Sequence, residues 1–186
     1  GYVRLNPTVA FGSDRTEEDG RIEEGLTRGS IKGTGRFDIN DKWRAGFDVH
    51  RASDKEYLRL YDISDDNVLE NIAYAERFSD RNYSNINVQQ YQDVRLGNRD
   101  EQPDVVPSAY HSMIGAPKSL LGGRLSGELS AVGLKRSDDG QDVDRIGGEV
   151  AWQHNYIAPI GVVSETKALT RVDYYNVRDS EAALLD

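Results

Sequence analysis

The chain has no cysteine, a single methionine and two tryptophans among 186 residues. Without cysteine there is no disulfide framework, no thiol nucleophile and no thiolate metal site. Basic residues are also scarce: 23 Lys and Arg stand against 32 Asp and Glu, for a net charge of -9. That balance excludes a nucleic-acid partner, because neutralising phosphates needs a basic surface. Hydrophobic residues make up only 37% and the mean hydropathy is -0.67. No run approaches the roughly 20 apolar residues of a membrane helix, and the opening "GYVRLNPTVAF" has none of the basic, apolar and small-residue regions of a signal peptide. Neither absence bears on a membrane β-strand, which needs only about 9–11 residues with every second one apolar.

What the chain does have is alternation. In "GRFDINDKWRAGFDVHRAS", Gly35 to Ser53, apolar and charged residues take turns on both sides of a short polar turn. Ile31, Gly33, Gly35, Phe37 and Ile39 share one parity, and Lys32, Thr34, Arg36 and Asp38 the other. Beyond the turn Trp43, Ala45, Phe47 and Val49 alternate with Arg44, Gly46, Asp48 and His50. Side chains of a strand point to opposite faces with period two, so this segment is a hairpin with one apolar and one charged face.

The same period predicts about nine strands. The first covers Tyr2 to Phe11, with Pro7 a residue better suited to a sheet edge or bulge. Later ones cover Val68 to Phe78, Tyr83 to Arg95, Val105 to Ile114, Gly123 to Arg136, a segment around Arg145 to Gln153, and Val162 to Val177. The Val68–Phe78 segment has apolar residues on both parities, so its faces stay unassigned. No helical period of useful length is present.

The connections have a pattern of their own. Long ones at about 13–29, 53–67, 96–104 and 137–144 hold 18 Asp and Glu against 6 Lys and Arg. They alternate with short ones at 40–42, 79–82, 115–121 and 155–161, which are neutral apart from Lys118. A soluble two-sheet sandwich also alternates along its strands but has no reason to alternate its loops in this way. An up-and-down outer-membrane barrel has one: short periplasmic turns, long extracellular loops, an apolar outer band and a polar lumen. Aromatics near strand ends, Trp43, Phe78, Tyr83, Trp152, Tyr156, Tyr174 and Tyr175, fit the girdles of such a barrel.

The expected fold is therefore all-β: an antiparallel, up-and-down transmembrane β-barrel segment of about nine strands that does not close on itself. The whole of residues 1–186 is read as part of one outer-membrane barrel domain, a fragment because the chain begins inside a strand-like pattern. The lipid-facing set is Ile31, Phe37, Trp43, Phe47, Val49, Leu125, Leu129, Ile146, Val150 and Trp152. The lumen-facing basic set is Lys32, Arg36, Arg44, Arg124, Arg145, Lys167 and Arg171. Each of these seven reads first as a member of a cross-strand ion pair, with contact to lipid phosphates as the other role. The alternatives are a general porin and a soluble sugar- or lipid-binding β-domain with its apolar face packed inside.

No catalytic constellation is present. His50, His111 and His154 fall on three different strands without metal-ligand spacing, no GxSxG elbow occurs, and "GTGRFD" opens no helix. The acidic run "SDDGQDVD", Ser137 to Asp144, does not have the spacing of an EF-hand loop. The expectation is no enzymatic activity, no cofactor and no metal; an outer-membrane lipid hydrolase would need a Ser–His pair with a carboxylate behind it.

Three blocks carry a family resemblance: "GRFDINDKWRAGFDVHRASDKEYLRLYDIS", "DNVLENIAYAERFSDRNYSNINVQQYQDVR" and "VVPSAYHSMIGAPKSLLGGRLSGELSAVGLKRS". In order and spacing, with Pro107, Tyr110, Pro117 and "LLGGRLS", they resemble the β-barrel part of the LPS-assembly protein LptD family, particularly its alphaproteobacterial form. The resemblance implies a large outer-membrane barrel that assembles lipopolysaccharide into the outer leaflet. It further implies a plug lipoprotein (LptE-like) as partner, and a periplasmic LPS-bridge component acting through a jellyroll absent from this sequence. Individual functional residues are not carried over, because such a protein works through surfaces.

Overall fold

The structure is a computed structural model that describes residues 1–12, 26–54, 57–95, 103–136 and 140–178. Nine strands run in chain order: β1 (Tyr2–Gly12), β2 (Leu26–Asp38), β3 (Trp43–Ala52), β4 (Val68–Ser79), β5 (Asn82–Asp93), β6 (Asp104–Ile114), β7 (Arg124–Lys135), β8 (Asp142–Ile157) and β9 (Val163–Arg178). They form one sheet in the order β1-β2-β3-β4-β5-β6-β7-β8-β9, every neighbour antiparallel. β1 and β9 are not hydrogen-bonded to each other, so the sheet is open. The only helix among the described residues is a single turn, α1 (Tyr57–Leu60), in the β3–β4 connection. The expected all-β, up-and-down, unclosed sheet is what the chain forms.

Local chemistry sets the hairpins. In the β2–β3 turn the Asn40 carboxamide oxygen accepts from the backbone N–H groups of Lys42 and Trp43, both at 2.9 Å, while Ile39 N–H donates to Trp43 O at 2.9 Å. Asn is suited to this role because its short side chain mimics a backbone acceptor. Above the turn, Gly35 faces Phe47, and a Cβ on Gly35 would lie 2.5 Å from the Phe47 ring. The missing side chain is therefore what lets the ring lie across β2. Pro107 sits where the β6 register slips between Val105 and Ser108, so its lack of an N–H falls at an irregularity.

With strictly consecutive antiparallel strands, the β1–β2, β3–β4, β5–β6 and β7–β8 connections lie at one end and the other four at the opposite end. The long and short loops of the sequence are thus segregated. Much of the acid count falls on 13–25, 55–56, 96–102 and 137–139, outside the described residues.

The apolar face has no second layer over it among the described residues: Ile31 is 39% exposed, Trp43 40%, Leu129 58% and Val150 53%. A sandwich would bury such residues beneath a facing sheet, and no second sheet is present among the described residues. The compact core among the described residues is small. Ala52, Tyr57, Leu58, Leu69 and Val94 are buried together at the long-loop end. They fill a wedge that opens because the β3–β4 ladder ends at the pair Asp48 and Ile72, leaving the last four residues of β3 without backbone partners on β4. Side-chain amides replace the missing ladder. Asn71 Oδ1 accepts from His50 N–H at 3.1 Å, and Gln92 accepts from Ala52 N–H at 3.1 Å while donating to Ala52 O at 2.8 Å.

Candidate functional site

Directly paired residues of an antiparallel ladder share a face. The register therefore assigns every strand residue to one side of the sheet. Ile31, Phe37, Phe47 and Val49 fall together through the pairs Gly35–Phe47, Phe37–Ala45 and Gly33–Val49, with Trp43 on the same parity of β3. Leu125 pairs with Trp152, Gly127 with Val150, and Ala131, on the parity of Leu129, with Ile146. The intervening ladders join the two groups through Ala73 and Val88, Ala75 and Ile86, Ile86 and Ala109, and Ala109 and Ala131. All ten residues expected to face lipid lie on this one side. The alanines at its centre were not singled out from sequence, because Ala is a weak period marker in a strand with apolar residues on both parities.

Lys32, Arg36, Arg44, Arg124, Arg145, Lys167 and Arg171 all lie on the opposite face by the same ladders. Five have carboxylate partners. Asp38 Oδ1 receives both Arg36 and Arg44 at 3.2 Å, Arg44 reaches Glu76 at 3.6 Å, and the Tyr83 hydroxyl donates to Glu76 at 2.9 Å. The result is one polar chain running from β2 to β5. A second runs across β8 and β9: Arg145 donates to Asp173 at 2.7 Å, Arg171 donates to the other oxygen of Asp173 at 2.7 Å, and Arg171 lies 3.7 Å from Glu149. Lys167 contacts Glu165 at 2.9 Å. Lys32 and Arg124 have no carboxylate within ion-pair distance among the described residues.

The aromatic girdle needs correction. Trp43, Trp152, Tyr156 and Tyr174 lie on the apolar face, but Phe78, Tyr83 and Tyr175 lie on the charged one. Their positions have a physical cause: the Arg44 guanidinium lies 5.3 Å above the Phe78 ring, Arg145 lies 5.6 Å above Tyr175, and Tyr83 binds Glu76.

The histidines do separate things. His50 is buried with Nδ1 3.6 Å from Asp66, and His154 stacks on Trp152 with ring centroids 5.8 Å apart. His111 Nδ1 lies 2.8 Å from Ser84 Oγ, the two being direct partners across β5 and β6. This is a Ser–His pair, but no carboxylate is within ion-pair distance of His111 among the described residues. On the apolar face the pair satisfies two polar groups with each other, as buried or lipid-facing polar groups require.

Two hollows mark the apolar face. One of about 360 Å³ is bounded by Trp43, Ile86, Leu129 and Ile146 over a floor of Ala75 and Ala109. Another of about 470 Å³ lies over the opened β3–β4 seam. A surface so constructed offers hydrocarbon contact on one side and fixed, largely neutralised charge on the other. In comparison with known families, the model for LptD, LPS transport system D, matches residues 27–183. No curated protein matches the chain.

Proposed function

Because this chain belongs to the LptD family, a family of LPS transport rather than of enzymes, we propose that residues 1–186 form part of one outer-membrane β-barrel. That barrel is the conduit that assembles lipopolysaccharide into the outer leaflet. The single observation that carries the reading is the family match over most of the chain. The two-faced, single-layer sheet supports it, since an amphipathic lipid needs a polar passage for its head group and an apolar boundary for its tails.

In this reading Ile31, Phe37, Trp43, Phe47, Val49, Leu125, Leu129, Ile146, Val150 and Trp152 face the bilayer, and the seven basic residues face the lumen. Arg44, Arg145 and Arg171 chiefly hold strands together, while Arg36 and Lys167 pair with acids two residues along their own strands. Lys32 and Arg124, which have no acid beside them among the described residues, are the ones that meet lipid phosphates. A plug lipoprotein fills the lumen, and a periplasmic bridge delivers lipid through a jellyroll outside this sequence.

Depletion of the full-length gene product, followed by labelling of surface lipopolysaccharide, tests the conduit. Surface delivery is expected to fall. Normal delivery with loss only of small-solute uptake would make the protein a porin. A photo-crosslinking residue in place of Lys32 or Arg124 is expected to capture lipopolysaccharide in transit, and capture at neither position would remove the lumen contacts.

A further inference from the structure

The hollow over the opened β3–β4 seam runs from an apolar floor to a polar end. Its floor is Phe47 and Val49 of β3, Ala73 of β4 and Val88 of β5. At the end nearest the long loops the same hollow is lined by Arg51 and Gln90. Arg51 shares the parity of Phe47 and Val49 and pairs with Ile31, so it stands on the apolar face and not on the charged one. It is exposed and has no carboxylate within ion-pair distance among the described residues. The Gln90 side-chain amide is likewise exposed, with no hydrogen-bond partner among them.

An arginine without an acid on a hydrocarbon-facing surface is costly unless it reaches the interface or finds an anion. Its planar fork suits a phosphate bidentately. We infer that this hollow seats a phosphorylated glycolipid on the outer wall of the barrel, an acyl chain over Phe47, Val49, Ala73 and Val88, a phosphate at Arg51 and a sugar hydroxyl at the Gln90 amide. The inference rests on the reading that the apolar face meets the bilayer. The occupant is a glycolipid and not a phospholipid for two reasons. The hollow lies at the end with the long loops, which in that reading is the outer surface. Its polar end also pairs a cation with a neutral amide suited to a hydroxyl.

The seam is shaped to keep such a seat open. Because β3 and β4 part above Asp48 and Ile72, the hollow is not closed by their side chains meeting, while Asn71 and Gln92 keep the parted strands from leaving the backbone of β3 unpaired.

The test uses the full-length protein purified with its plug lipoprotein in a maltoside detergent. Native mass spectrometry follows titration with a bis-phosphorylated, acylated glucosamine disaccharide, its dephosphorylated counterpart, and phosphatidylglycerol. Arg51→Ala is expected to weaken one binding event for the phosphorylated glycolipid about tenfold, the loss of one charge-assisted contact, and to leave the dephosphorylated lipid unchanged. Arg51→Lys should retain most of the affinity, and Val88→Trp, which fills the floor, should weaken both glycolipids. Equal binding by wild type and Arg51→Ala, or a preference for phosphatidylglycerol, overturns the inference. Heat-modifiable gel mobility confirms that each variant is folded, and Gln90→Ala provides an exposed second variant should Val88→Trp not fold. Binding is read on purified protein and the conduit by surface delivery in cells, so either can fail without the other.

Discussion

Placing a cation at Val150 and at its neighbour Ala151 tests the two-faced reading within one peptide unit. β8 has 16 residues, Asp142–Ile157, and Val150 lies eight residues from one end and seven from the other. A strand tilted about 45° climbs roughly 2.3 Å per residue, so about 11 residues cross an apolar band of about 25 Å. In the proposed reading both ends of β8 then lie beyond the band and Val150 lies near its midplane, where an arginine on the lipid face costs about 2–4 kcal/mol. Val150 is 53% exposed and faces Gly127 and Thr170 across the ladders, so Val150→Arg creates little steric conflict and the cost is that of transfer. Ala151 points to the other side, beside Ser126 and Leu169, where in the same reading Ala151→Arg meets a polar lumen. In the full-length protein, the folded fraction by heat-modifiable mobility across a urea series is expected to fall sharply for Val150→Arg and little for Ala151→Arg. A difference of 2–4 kcal/mol corresponds to about 30- to 1000-fold in the equilibrium. Equal effects, or the reverse order, would refute the assignment of faces.

Three further outcomes follow from the same geometry. Gln92→Leu removes the amide that satisfies both backbone groups of Ala52 and should cost about 1–3 kcal/mol, read as faster amide hydrogen exchange at Ala52; unchanged exchange there would mean that water replaces the amide at no cost. Leu58→Ala empties part of the small core and should destabilise the long-loop end by about 2–5 kcal/mol, seen as protease sensitivity between β3 and β4 with the β8–β9 hairpin unaffected. Asp173→Asn removes the negative charge and one of the two acceptor oxygens that Arg145 and Arg171 share; the unfolding temperature should fall, and a double-mutant cycle with Arg145→Gln should return a favourable coupling between the two sites.

The alternation of Phe37, Trp43, Phe47 and Val49 against Arg36, Arg44 and Asp48 was enough to find the second and third strands and to sort their faces, because a single slip in register would exchange the faces. β4 resisted for a physical reason. Its charged face includes Tyr74, which lies over the bare Gly46, and Phe78, which lies beneath Arg44, while Leu69, Ala73 and Ala75 take the other parity, so apolar residues occur on both. The ion pairs were legible as a class but not in detail: Arg36 binds Asp38 two residues along its own strand as well as sharing it with Arg44. The turn of helix at Tyr57–Leu60 was invisible, since four residues are too few to display a period. Nor could the seam be foreseen, because it depends on where a ladder stops and not on what the residues prefer.

The order of the sheet also bears on how the protein is made. Every strand pairs its backbone only with the strands next to it in the chain, so each hairpin can form its ladder as soon as its two arms exist. No distant segment must be found first. The entropic cost of closing long loops, which slows folds built from remote pairings, is met here four times at long connections and four times at short ones, never across the whole chain. Such a sheet can grow strand by strand from either edge in the manner of a repeat protein, where each added unit contacts only its neighbour. An interruption in the middle, for example at the parted β3–β4 ladder, would leave two shorter sheets that are each internally complete.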